Sequence, residues 1–124
     1  MVAAMTPQKT VMVVEDEPAI RGLLSMTLEC ENYHVETAGD GQEALDMVER
    51  VHPDAILLDL MLPTMDGWEL INALSARSAT DGIPIIAVSA SQRHLNVGEQ
   101  GVQAFLSKPF DVDTLLVVLE EVLQ

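Results

Sequence analysis

Residues 55–67 run Ala55-Ile-Leu-Leu-Asp-Leu-Met-Leu-Pro-Thr-Met-Asp-Gly67, a stretch of hydrocarbon broken by one carboxylate, Asp59, and closed by Pro63 and an Asp-Gly pair. An apolar run this continuous belongs to a strand covered on both faces. An unpaired charge in its middle would cost several kcal/mol, on the order of the buried-ion penalty. Asp59 therefore belongs where the strand ends, beside a cation, or both.

The flanking sequence repeats the theme. Val11-Met-Val-Val14 is a short apolar run that stops at Glu15-Asp-Glu-Pro18, and proline suits a first helical turn. Ile20, Leu23, Leu24, Thr27 and Leu28 then recur at helical spacing until Glu31-Asn32. His34 to Ala38 reads as a second strand, followed by Gly39-Asp-Gly41 and a helix carrying Ala44, Leu45 and Val48 that ends at His52-Pro53. Ala55 to Leu58 is the third strand, and Gly67 opens a helix with Leu70, Ile71 and Leu74 on its inner face. Ile83 to Val88 is the fourth strand and Ala104 to Leu106 a short fifth. Asp111 caps a last helix with Leu115, Leu116, Leu119 and Val122 inside.

Strands alternating with amphipathic helices imply a parallel sheet covered on both sides, with ligands bound beyond the carboxyl ends of its strands. Along that edge the sequence places Glu15-Asp16, Asp59, Ser89 and, after a short turn, Lys108. Three carboxylates at close range repel unless a cation sits among them, and an all-oxygen donor set suits a hard ion such as Mg²⁺, with Mn²⁺ as a possible substitute. Asp59 is then a candidate nucleophile, because carboxylates form aspartyl phosphates. Lys108 and the Ser89 hydroxyl could neutralise and hold the phosphoryl oxygens. Singly, these residues have ordinary explanations: Glu15-Asp16 can start a helix, Asp59 can cap a turn, Ser89 can end a strand, and Lys108 can sit on the surface. Compatible groups at four strand ends are poorly explained that way.

Composition narrows the function. The 124 residues fit one domain, 1–124, of which residues 1–8 read as a flexible N-terminal extension. A formal net charge of −14 disfavours direct contact with nucleic acid or anionic lipid. The longest stretch lacking Asp, Glu, Lys or Arg, Gly82 to Gln92, falls far short of the roughly 20 apolar residues of a membrane helix, so a cytoplasmic protein is expected. Cys30 is the only cysteine and reads as a free thiol on a helix. His34, His52 and His94 lack ligand spacing and read as surface residues; Trp68 reads as partial core.

Four segments, 11–18, 56–67, 83–90 and 108–110, stand in the order seen in receiver domains of two-component response regulators, and residues 9–124 resemble that family throughout. The resemblance implies a flavodoxin-like, doubly wound (βα)₅ fold with a five-stranded parallel sheet in the order 2-1-3-4-5. It implies that Asp59 is the phosphoacceptor and that Glu15, Asp16, Asp59 and the Met61 backbone carbonyl hold the metal, Asp16 directly and Glu15 often through water. Ser89 matches the switch hydroxyl, Phe105 the aromatic that changes rotamer, and Lys108 the phosphate-contacting lysine. It further implies a signalling phosphoacceptor catalysing only its own phosphorylation and dephosphorylation. Its partners would be a sensor histidine kinase or phosphotransfer protein, and a downstream effector or output domain.

The Lys108-Pro109 bond is expected to be cis. The stretch between Ser89 and Lys108 is about one helical turn shorter than is common in the family, and residues 91–101 carry two glycines, so a short or irregular helix is expected there. Two other functions could use such an architecture. An FMN carrier needs a hydroxyl- and glycine-rich phosphate loop after the first strand, where this chain has Glu15-Asp-Glu-Pro18. A Mg²⁺-dependent phosphohydrolase usually has a second acid two residues past its nucleophile, where this chain has Met61.

Overall fold

The computed structural model describes residues 8–62, 65–90 and 102–124. Five strands, β1 (Thr10–Val14), β2 (His34–Ala38), β3 (Ala55–Asp59), β4 (Ile85–Ser89) and β5 (Val102–Ser107), form one sheet in the order β2-β1-β3-β4-β5. Every neighbouring pair is parallel. The described helices are α1 (Pro18–Cys30), α2 (Gly41–Val51), α3 (Gly67–Ser75) and α4 (Val112–Val122). The helix expected within 91–101 lies outside the described residues, as do residues 1–7 of the expected extension. Gln8, the last residue of that expected extension, donates from its side-chain amide to the Asn32 side-chain oxygen at 3.2 Å.

The period-two geometry of a strand splits the core into two layers. Met12, Val14, Ile56, Leu58, Ile85 and Ala87 face one layer, where α2 and α3 supply Ala44, Leu45, Val48, Leu70, Ile71 and Leu74. Val11, Val13, Leu57, Ile86, Val88 and Leu106 face the other, closed by Leu28 of α1 and Leu115 and Leu119 of α4. Both layers demand apolar residues, so β3 and β4 are buried at every position, whereas the edge strand β2 buries only Ala38 fully.

Strand boundaries differ from expectation: β1 begins one residue earlier, at Thr10, and β3 runs one residue further, to Asp59. β4 begins at Ile85 rather than Ile83, because Pro84 has no N–H to donate to the ladder; its carbonyl accepts from Ile56 at 2.9 Å instead. β5 is longer than Ala104–Leu106, because the register slips by one between Val102 and Ala104 and leaves Gln103 exposed without ending the pairing. The α1 stripe is also less buried than its spacing suggests. Only Leu28 is fully covered, and Ile20 and Leu23 stay exposed.

Helix ends follow local chemistry. Asp40, Asp66 and Asp111 each accept a hydrogen bond from the backbone N–H three residues on, capping α2, α3 and α4. Gly67 is required by close approach: a Cβ there would stand 2.6 Å from the Leu60 Cα. The turn after β3 can therefore fold tightly back, and the Gly67 N–H reaches the Leu60 carbonyl at 3.0 Å.

Candidate functional site

The parallel sheet brings four of the residues singled out in the sequence to one place. Glu15 directly follows β1, Asp16 begins the loop, Asp59 is the last residue of β3, and Lys108 directly follows β5. Carboxylate oxygens of Glu15, Asp16 and Asp59 all lie within 4.8 Å of one another. Glu15 and Asp59 are buried, and Asp16 faces solvent. Lys108 Nζ stands 3.0 Å from Asp59 Oδ2 and 3.7 Å from Glu15 Oε1.

Backbone groups fix these side chains. The Met61 N–H donates to Asp59 Oδ1 at 2.9 Å, so one carboxylate oxygen is held by the turn and the other by Lys108. The Glu17 N–H donates to Glu15 Oε2 at 3.1 Å. The Lys108 N–H donates to the Ser89 carbonyl at 2.9 Å, which ties the lysine to the end of β4. The Lys108–Pro109 bond is cis, as expected.

Electrostatics mark this edge as short of positive charge. Burial raises the Glu15 pKa above the usual carboxylate value, and the Asp59 charge adds to it, against the opposing Glu17 N–H and Lys108. Partial burial pulls Lys108 down, but its hydrogen bond to Asp59 and the attraction of Asp59, Glu15 and Asp16 outweigh that and raise its pKa. Among the described residues, one ammonium thus faces three carboxyl groups. The all-oxygen donor set and the residual negative charge fit a hard divalent cation.

Ser89 ends β4 beside Asp59, whose register partner is Val88, and is buried. Phe105 pairs with Ala87 in the β4–β5 ladder and packs, half-buried, against the α2–α3 layer. The Met61 side chain is exposed, and its backbone N–H already contacts Asp59. His34 and His52 are exposed and outside the site; His94 lies outside the described residues. Cys30 is an exposed thiol and Trp68 is half-buried. One residue escaped the sequence reading. Arg21, in the second turn of α1, donates from Nη1 to the Glu15 carbonyl at 2.9 Å. Its signal was the tilt of helical side chains toward the N-terminus, which aims the first turns of α1 back at the acid pair.

A small sheet-edge site of this composition on a 2-1-3-4-5 sheet defines a class, and the family comparison agrees: residues 11–120 match the response regulator receiver domain, and the chain belongs to that family. It is 38% identical over 118 residues to the response regulator MprA of Mycobacterium leprae, covering 92% of this chain and 50% of that protein. The chain therefore spans about half the length of the curated relatives it matches. Among solved structures, the chemotaxis response regulator CheY4 of Vibrio cholerae superposes with a TM-score of 0.87 at 33% identity, covering 94% of this chain and 99% of that one. The receiver domain of the sensor histidine kinase PA1611 from Pseudomonas aeruginosa, solved with a magnesium ion coordinated in its active-site cleft, gives 0.85 at 29% identity, covering 94% and 98%. This chain is accordingly a two-component receiver domain with the flavodoxin-like fold, and no described helix is long and apolar enough to cross a membrane.

Proposed function

We propose that Asp59 accepts a phosphoryl group from a phosphohistidine on a sensor kinase or phosphotransfer protein, and that the change alters the affinity of this domain for an effector or output domain. The observation that carries this reading is the clamp on Asp59: one carboxylate oxygen is bonded to the Met61 N–H and the other to Lys108, at the mouth of a cluster of acids. An Asp59 oxygen attacks phosphorus, the P–N bond to the donor imidazole breaks, and the imidazole leaves with the electron pair. Preorganised charge and positioning are the main requirements of such a transfer.

Glu15, Asp16 and Asp59, with the Met61 carbonyl, would hold Mg²⁺, or Mn²⁺ in its place. The ion would supply neutralisation of charge on the phosphoryl oxygens. Lys108 turns from Asp59 to the new phosphoryl group, which carries more negative charge than the carboxylate it replaces. Ser89, at the end of the adjacent strand, donates its hydroxyl to a phosphoryl oxygen, and Phe105 follows it inward as a two-state element. The domain transfers phosphate only to and from itself, in the cytoplasm, and does not touch nucleic acid directly. A small-molecule phosphodonor tests the assignment: wild type should gain an acid-stable, base-labile phosphoryl group that maps to Asp59. The same gain in Asp59→Asn would refute it.

A further inference from the structure

We propose that Arg21 is a positioning residue for the metal-binding acid pair, an inference that rests on the acid cluster being a divalent-cation site. Its Nη1 donates to the Glu15 carbonyl at 2.9 Å, and that carbonyl belongs to the peptide unit joining Glu15 to Asp16. The tilt of this one peptide plane sets the direction in which both acids leave the chain, because planarity couples the two residues. The opposite side of Glu15 is fixed as well, its N–H donating to the Ala38 carbonyl at 3.1 Å at the end of β2.

The guanidinium is itself confined. A methyl group placed on Gly39 would stand 3.1 Å from Arg21 Nη1 and 3.8 Å from Glu43 Oε1, so the arginine lies against the β2–α2 turn near the Glu43 carboxylate. Glu43 is held there by the Gly39 N–H at 2.6 Å. Gly39 and Glu43 of the β2–α2 turn thus lie close beside the arginine whose guanidinium holds the acid-pair peptide. Such outer groups commonly orient metal ligands.

Charge and positioning predict opposite signs. A cation close to the site repels Mg²⁺, so if Arg21 acted only through its charge, its removal would tighten metal binding. If it positions the acids, removal weakens binding. Mg²⁺ alone is titrated by calorimetry into wild type, Arg21→Met and Arg21→Lys, with melts in chelator and the Asp16 backbone amide followed by NMR. The expected result is about tenfold weaker Mg²⁺ binding in Arg21→Met, the low end for an orienting group, with a displaced Asp16 amide signal in the metal-free protein. Metal-free Tm should change little, and Arg21→Lys, which keeps a donor on the same stem, should recover most of the affinity. Binding as tight as wild type or tighter in Arg21→Met overturns the inference. So does weakening that only tracks a fall in metal-free Tm. If wild type itself fails to bind Mg²⁺, the cation site falls and takes this inference with it.

Discussion

Helices α1 and α2 flank the same pair of strands from opposite sides and are built differently. α2 is capped by the Asp40 side chain, buries Gly41, Ala44, Leu45 and Val48, and stops at His52 in a left-handed conformation before Pro53. α1 has Pro18 in its first turn, no side-chain cap at Glu17, and a single fully buried residue, Leu28. Its Ile20, Leu23 and Met26 are exposed, and Ile20 and Leu23 border an apolar groove whose lining also includes Lys108, Phe110 and Val112. The helix committed to stability is the one farther from the acid pair. The helix that begins two residues after the acid pair is the less buried one, and its Arg21 donates to the Glu15 carbonyl.

Truncation should expose the difference most strongly. Leu45→Ala in α2 is expected to cost about 2–4 kcal/mol and Leu23→Ala in α1 less than about 0.5 kcal/mol, read from urea unfolding. Equal costs would break the contrast. Next, Mg²⁺ binding only the folded acid cluster should stabilise the protein by about 2.7 kcal/mol at a hundredfold excess over its dissociation constant. Thermal melts should show that gain in wild type and lose it in Asp16→Ala. The caps come third: Asp40→Ala should cost about 1 kcal/mol, because the Glu43 N–H loses its partner, while Glu17→Ala should cost almost nothing.

The smallest effect expected is the pH dependence of Glu15 in metal-free protein. Its folded pKa is raised by burial and by Asp59, so the folded state binds its proton more readily than the unfolded state does. Stability from this group falls as pH rises from the ordinary glutamate value through the raised one, and is flat above. Glu15→Gln should therefore be slightly more stable than wild type at neutral pH, with the gap closing in acid. A gap that widens in acid would contradict the buried, unneutralised carboxylate.

Much of this was legible in the sequence, for identifiable reasons. Central strands of a parallel sheet bury both faces, so Val11–Val14 and Ala55–Leu58 announce themselves as unbroken apolar runs, and the residues that end them fall on one edge. The Asp111 cap was legible as local chemistry, and Asp40 and Asp66, not singled out in the sequence, cap in the same way. What was missed depends on tertiary context. Ile20 and Leu23 have helical spacing, yet spacing does not say how far a neighbouring helix reaches, and they remain exposed. The start of β4 turned on the N–H that Pro84 lacks for the ladder, and the length of β5 on a slipped register. Arg21 acts on a backbone carbonyl, a partner that no side-chain motif records.

In the proposed function the sheet edge presents Asp59 as a metal-assisted phosphoacceptor. The decisive measurement is to incubate the protein with a small-molecule phosphodonor, in Mg²⁺ and in chelator, and to map the product by peptide mass spectrometry. Phosphate should appear on the peptide containing Asp59 in Mg²⁺, and be absent in chelator and in Asp59→Asn. Phosphate at another residue, or equal labelling of Asp59 with the metal removed, would contradict it.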